Sequence, residues 1–337
     1  VHGNGYATVE RTDARSEGMP WRRIGAAIES NLLLLVVITT VLGLLARSLG
    51  KALASGISPL LALLMLTVSL TFDASAVRVV LRRPGHQVLA LVLVYGPMSL
   101  AGLLTGRVFF GAGPLALGQT LVGTLPTDVS APLLVLLARG NVALAAVLNA
   151  INTALSPFIV PALFLLLTGI ELQVPLRSVI AELVATVLLP TLVGIALRTR
   201  FPRTVGRFDG LYSAGGALVY LALLLAVLGP NASSIMSYGW YALLIAGAAL
   251  TLNAIGYACG ATARWFTRDP HDRIAYLFTV SKKEFAIAAA FVAASGLPIE
   301  IAIPAAFYAV IQMITSPVAA RILVARARRS PRPPFRR

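Results

Sequence analysis

Charge is scarce in this chain and cysteine is nearly absent. Asp, Glu, Lys and Arg make up 12% of its 337 residues, where a soluble domain carries about 25%. A lone cysteine, Cys259, excludes a disulfide framework. It lies in an apolar run, where a thiol is inert. The three histidines, His2, His86 and His271, fall in the amino-terminal tail or at loop edges, so no metal centre can be assembled. No nucleophile–base pair, Gly-rich phosphate loop or Cys/His spacing is present. Neither an enzyme nor an ATP-driven pump is indicated, and no cofactor is expected.

What the chain has is apolar sequence: 58% of residues are hydrophobic and the mean hydropathy is +0.84. Backbone polar groups inside a bilayer must be satisfied within helices or a closed barrel. Apolar runs of about 20 residues without alternation select helices. An all-α polytopic membrane protein follows. Ten transmembrane helices are expected at about 28–47, 57–77, 86–106, 115–138, 141–168, 176–198, 210–229, 238–263, 271–295 and 299–322.

The net charge of +15 is unevenly placed. With ten spans, one side gathers 22 Arg and Lys residues against 4 on the other. That asymmetry makes the basic side cytoplasmic, so the chain is expected in the cell (inner) membrane with both termini in the cytoplasm. The basic residues orient the protein and meet anionic lipids; nucleic acid is not an expected partner. Residues 1–27 read as a cytoplasmic tail without a signal-peptide core, 28–325 as the membrane domain, and 326–337 as a basic Pro/Arg tail.

Two charged clusters interrupt the apolar runs: Leu125-Pro126-Thr127-Asp128 and Ser281-Lys282-Lys283-Glu284. Each lies 12 residues before a glycine, Gly140 or Gly296, at a common offset of 156. Asn152-Thr153-Ala154-Leu155-Ser156-Pro157 likewise matches Gln312-Met313-Ile314-Thr315-Ser316-Pro317, at an offset of 160. Two inverted five-helix repeats, about 28–168 and 176–325, are therefore expected. Ionisable groups at mid-membrane cost about 2.5–3.5 kcal/mol each, so these must face protein or water. Pro126 removes an amide and disfavours helix at Leu125, which breaks the fourth span. The ninth span has no proline at its cluster, and its break rests on the charges and the repeat. Broken helices in corresponding places of two halves point to a secondary-transporter binding site.

Leu137-Ala138-Arg139-Gly140-Asn141-Val142-Ala143-Leu144 and Ser156-Pro157-x-x-x-Pro161-Ala162-x-Phe164 resemble signatures of the bile acid:sodium symporter (BASS/SBF) family. So do Arg83-Pro84 and Ile255-Gly256-Tyr257, and the likeness runs from about Leu64 to Val324. The resemblance implies a panel subdomain of helices 1, 2, 6 and 7 and a core of 3–5 and 8–10. In that core the broken helices 4 and 9 cross. It implies symport of organic anions with sodium. The sodium chemistry departs from the family pattern. Its Ser-Asn in helix 4 reads Ala131-Pro132 here. Expected oxygen donors on helix 5 are Ala145 and Asn149, and the expected Gln on helix 3 is Val94. The Glu-Val-Gly-Met-Gln-Asn signature of helix 9 reads Thr279-Val280-Ser281-Lys282-Lys283-Glu284. A hard cation needs several oxygen ligands; the second sodium site is expected to be lost and the first to lack most of its donors. Glu284-Phe285-Ala286-Ile287-Ala288 is similar to the arsenite-efflux branch of the superfamily. Leu125 stands where that branch carries the cysteine its metalloid needs.

The candidate substrate-binding or coupling residues are Thr127, Asp128, Asn149, Asn152, Thr279, Lys282, Lys283, Glu284 and Gln312. One lysine is read as a tethered cation in place of sodium, exchanging a proton, and the other as facing an anionic solute. The competing reading is a structural salt-bridge network pinning the two breaks, with the amides as interhelical hydrogen-bond partners. The function read here is a secondary active transporter of a small organic anion, proton-coupled or uncoupled. Metalloid or organic solute efflux by proton antiport, and a non-transporting receptor or scaffold, are the alternatives.

Overall fold

The computed structural model describes residues 31–71, 84–170, 172 and 174–329. The amino-terminal tail, Arg83 and the end of the basic tail lie outside them. Every regular element among the described residues is helical. The chain opens with α1 (Leu32–Leu45), which turns by 97° into α2 (Arg47–Ala54). Then come α3 (Ile57–Ser69), α4 (Pro84–Tyr95), α5 (Pro97–Phe110), α6 (Pro114–Thr124), α7 (Ala131–Leu137) and α8 (Val142–Thr168). The second half has α9 (Leu176–Arg200, with a π-helical stretch at Val184–Leu188), α10 (Asp209–Ser237), α11 (Tyr241–Ala261), α12 (Pro270–Ser281), α13 (Phe285–Ser295) and α14 (Ile303–Arg329). The basic tail expected from residue 326 thus begins inside a helix.

Among the described residues, six helical stretches are long and apolar enough to cross a membrane, or seven if the bent α1–α2 pair is one span. The other expected spans fall short for visible reasons. Helix α3 has 13 residues. Two more spans are cut into halves, α6 with α7 and α12 with α13, at the two charged clusters.

Helices α1, α2 and α3 pack against α10 and α9 packs on α3, while α4–α8 pack with α11, α12 and α14. Helices without a hydrophobic drive between them associate through small residues that let backbones approach. Gly229 of α10 meets Gly50 of α2, where an added Cβ would overlap the Gly50 backbone. Gly215, on the same helix, has open space around it. Gly229→Val is expected to destabilise the protein by about 3 kcal/mol or more, because backbone cannot move aside as a side chain can. Gly215→Ala should be neutral or raise stability by up to about 1 kcal/mol. Thermal melts of the two variants in detergent check the contrast.

Candidate functional site

The site is made by the two breaks. Leu125 is extended (φ −67°, ψ 152°), as Pro126 requires, and α6 stops at Thr124. The second break needs no proline: Lys282 (φ −102°, ψ 135°) and Glu284 (φ −82°, ψ 91°) are both extended. The two extended segments bond to one another. The Asp128 N–H donates to the Lys282 carbonyl (3.3 Å), and the Glu284 N–H to the Pro126 carbonyl (3.0 Å). A shift of 156 positions exchanges these two bonds.

A broken helix leaves amides unpaired at one new end and carbonyls at the other, with partial positive and negative charge respectively. Here both amide ends receive a carboxylate. Asp128 Oδ1 accepts from the Ser130 N–H (2.9 Å) and from the Ser130 hydroxyl. Glu284 Oε1 accepts from the Ala286 N–H (3.4 Å), and its Oε2 from the Val129 N–H (3.1 Å). Both carbonyl ends receive donors. The Lys283 ammonium donates to the carbonyls of Val94 (2.9 Å), Gly123 (3.2 Å) and Leu125 (2.9 Å). Three N–H bonds meet three acceptors, which is the full capacity of the group. At the other end the Thr127 hydroxyl donates to the Thr279 carbonyl (2.8 Å). The Tyr308 hydroxyl (2.6 Å) and the Asn253 amide (2.9 Å) donate to the Ser281 carbonyl.

All nine residues read from the sequence gather at this crossing, none more than 1% exposed. Gln312 ties the breaks together: it accepts from the Lys283 N–H (2.9 Å) and donates to Asp128 Oδ2 (3.0 Å) and the Lys283 carbonyl (3.0 Å). Asn149 donates to the Asp128 carbonyl (3.4 Å), and Asn152 to the Thr127 hydroxyl (3.0 Å). The three amides thus brace the crossing. Lys282 takes a different course from its neighbour. Its Nζ lies 3.6 Å from Asp128 Oδ1 and has no hydrogen-bond partner.

Sequence reading missed the carbonyls of Val94, Gly123 and Leu125, because backbone ligands carry no side-chain signature. It also missed Tyr220 of α10, whose hydroxyl is buried without a partner and whose ring packs edge-on against Phe285 at 4.9 Å. Tyr220 lines a cavity of about 220 Å³ between α3 and α10 on one side and α7 and α14 on the other. Val129 and Ser130, which hold Glu284 and Asp128 respectively, form its wall towards the crossing.

The chain is 26% identical over 276 residues to a Bacillus subtilis protein named uncharacterized sodium-dependent transporter YocS, covering 82% of this chain and 85% of the relative. A second Bacillus subtilis protein, uncharacterized protein YbaS, is 26% identical over 83% of this chain and 92% of its own length. The rat hepatic sodium/bile acid cotransporter is 27% identical over 57% of this chain and 53% of its own. The profile of the SBF-like CPA transporter family matches residues 30–326. A match over nearly the whole helical domain places the chain in that family, a multi-pass membrane transporter family of the bile acid:sodium symporter kind.

Proposed function

We propose that this chain is a secondary active transporter that carries a small organic solute by alternating access, and that it does so without a sodium ion at the crossing. The observation that carries the reading is the Lys283 ammonium among three backbone carbonyls. A free cation would seek such carbonyls at the end of a broken helix. The protein's own cation occupies them, and Ala131 and Ala145 offer no side-chain oxygen where the family's donors are expected. Lysine is a compact cation that can release a proton, so exchange at Lys283 is the coupling this chemistry allows.

Ten membrane helices in two inverted repeats are part of the same proposal. The bonds exchanged by the 156-residue shift support it, as does the matching relation of Asp128 and Glu284 to the amides two residues on. The proposed setting is the cell membrane with both termini in the cytoplasm, as the arginine asymmetry argues. A small organic anion is the solute that the rat relative's name favours.

Uptake into proteoliposomes tests the function. Labelled organic solutes are expected to accumulate or exchange across the membrane with purified protein present, without ATP. Saturable binding with no net movement in either direction would mark a receptor or scaffold instead.

A further inference from the structure

Two cavities lie end to end along α3 and α10. The first is the one of about 220 Å³, whose lining includes Leu64 of α3, Tyr220 of α10, Val129, and Leu133 of α7. The second, of about 270 Å³, is lined by Ile57 of α3, Val227 of α10, and Ala289 and Ala293 of α13 among others. The repeat relates them, since a shift of 156 positions carries Leu133 to Ala289. They also share two walls. On α3 the nearest lining residues of the two cavities are Ile57 and Leu64, and on α10 they are Val227 and Tyr220. Either step along a helix rises about 10 Å, where the hydrocarbon core of a bilayer is about 30 Å thick. The barrier between the cavities is thin.

Two aromatic rings stand in that barrier. The same shift carries Val129, which lines the first cavity, to Phe285, which is buried one turn before Ala289 on α13. The Phe285 ring sits edge-on to the Tyr220 ring, with centroids 4.9 Å apart. Leu61 and Leu224 fill the same level, each three or four residues from a lining residue of either cavity and so on the same helix face. Both are fully buried. Apolar constrictions of this kind close a path by excluding water. The two rings belong to different parts of the fold. Tyr220 comes from α10, packed against α1–α3, and Phe285 from the half-helix that starts at the crossing. Rocking of α10 against the crossing parts them.

We infer that the Tyr220–Phe285 pair is the gate of a solute path that runs from one cavity to the other along α3 and α10. This rests on the transporter reading, to which it adds the second cavity and the two residues that close the path.

The test uses the full-length chain with Cys259→Ser and one new thiol, Ala217→Cys in the first lining or Ala293→Cys in the second. A membrane-impermeant reagent, 2-(trimethylammonio)ethyl methanethiosulfonate, is added to sealed vesicles of either orientation. With the gate intact, each thiol is expected to react about tenfold or more faster from one face, and the two from opposite faces. Phe285→Ala and Tyr220→Ala, made separately, should each bring the rates from the two faces within about threefold of one another. Phe164→Ala is the control and should keep the sidedness, because Phe164 and Phe291 form a like edge-on pair (5.2 Å) and neither lines either cavity. Sidedness kept in a folded Phe285→Ala or Tyr220→Ala protein overturns the gate. Sidedness lost in Phe164→Ala, or equal rates from both faces with the gate intact, overturns it too. With the gate intact, both thiols reacting from the same face, or neither reacting at all, overturns the transporter reading itself. Should the alanine variants fold poorly, Phe285→Leu removes the ring with less loss of volume and gives the same readout.

Discussion

Lys283→Ala is expected to lose most of its folded stability, and to regain part of it in ammonium or methylammonium chloride. The substitution removes three hydrogen bonds at once and leaves the carbonyls of Val94, Gly123 and Leu125 without this donor in a dry interior. Each unsatisfied buried group costs about 1–3 kcal/mol, so a loss of about 3 kcal/mol or more is expected. A small cation can re-enter the space that the side chain leaves. The melting temperature of Lys283→Ala should therefore rise with ammonium at fixed ionic strength, while the unsubstituted protein stays level. Equal responses in both proteins would mean that the carbonyls are not a cation site. Lys283→Gln removes the charge with less loss of volume, and should fall between the two in stability while losing any dependence of transport on pH.

The second large effect concerns the buried pair. Asp128→Ala should reduce folded protein severely, because it strands the Lys282 ammonium, whose nearest counter-charge lies 3.6 Å away. Removing one partner of a buried pair costs about 3–5 kcal/mol, whereas replacing both by groups of similar shape is often neutral. Lys282→Leu combined with Asp128→Asn should accordingly restore much of the melting temperature. Its transport activity then separates the two readings of the pair. Recovery of flux with recovery of fold makes Lys282–Asp128 a structural pin. A folded but inactive double variant makes the pair part of the transport cycle.

The positions of the breaks were legible because membrane sequences contain few charges, and Pro126 and the acidic residues stand out against apolar runs. The nine candidate residues converge for the same reason. Charged and amide side chains in such a chain have few places to go other than one another and the free helix ends. The roles were less legible. Lys282 and Lys283 are adjacent and chemically identical, and sequence could not say which is the tethered cation. The extended backbone at Lys282 separates the two, with Lys283 at the carbonyl end of α6 and Lys282 beside Asp128. Sequence also assigned one lysine to an anionic solute; in the structure Lys282 lies against Asp128 and Lys283 against three backbone carbonyls. The membrane-span count was harder for a related reason. Helices cut at mid-span and bent at Ala46 no longer present one long apolar cylinder.

Equilibrium binding of radioactive sodium to the purified, unsubstituted protein tests the central claim most directly, since it needs no knowledge of the solute. With the Lys283 ammonium holding the carbonyls at the end of α6, no saturable sodium binding is expected as sodium is raised, with choline making up a constant ionic strength. Saturable binding of one or more sodium ions per chain would contradict the account.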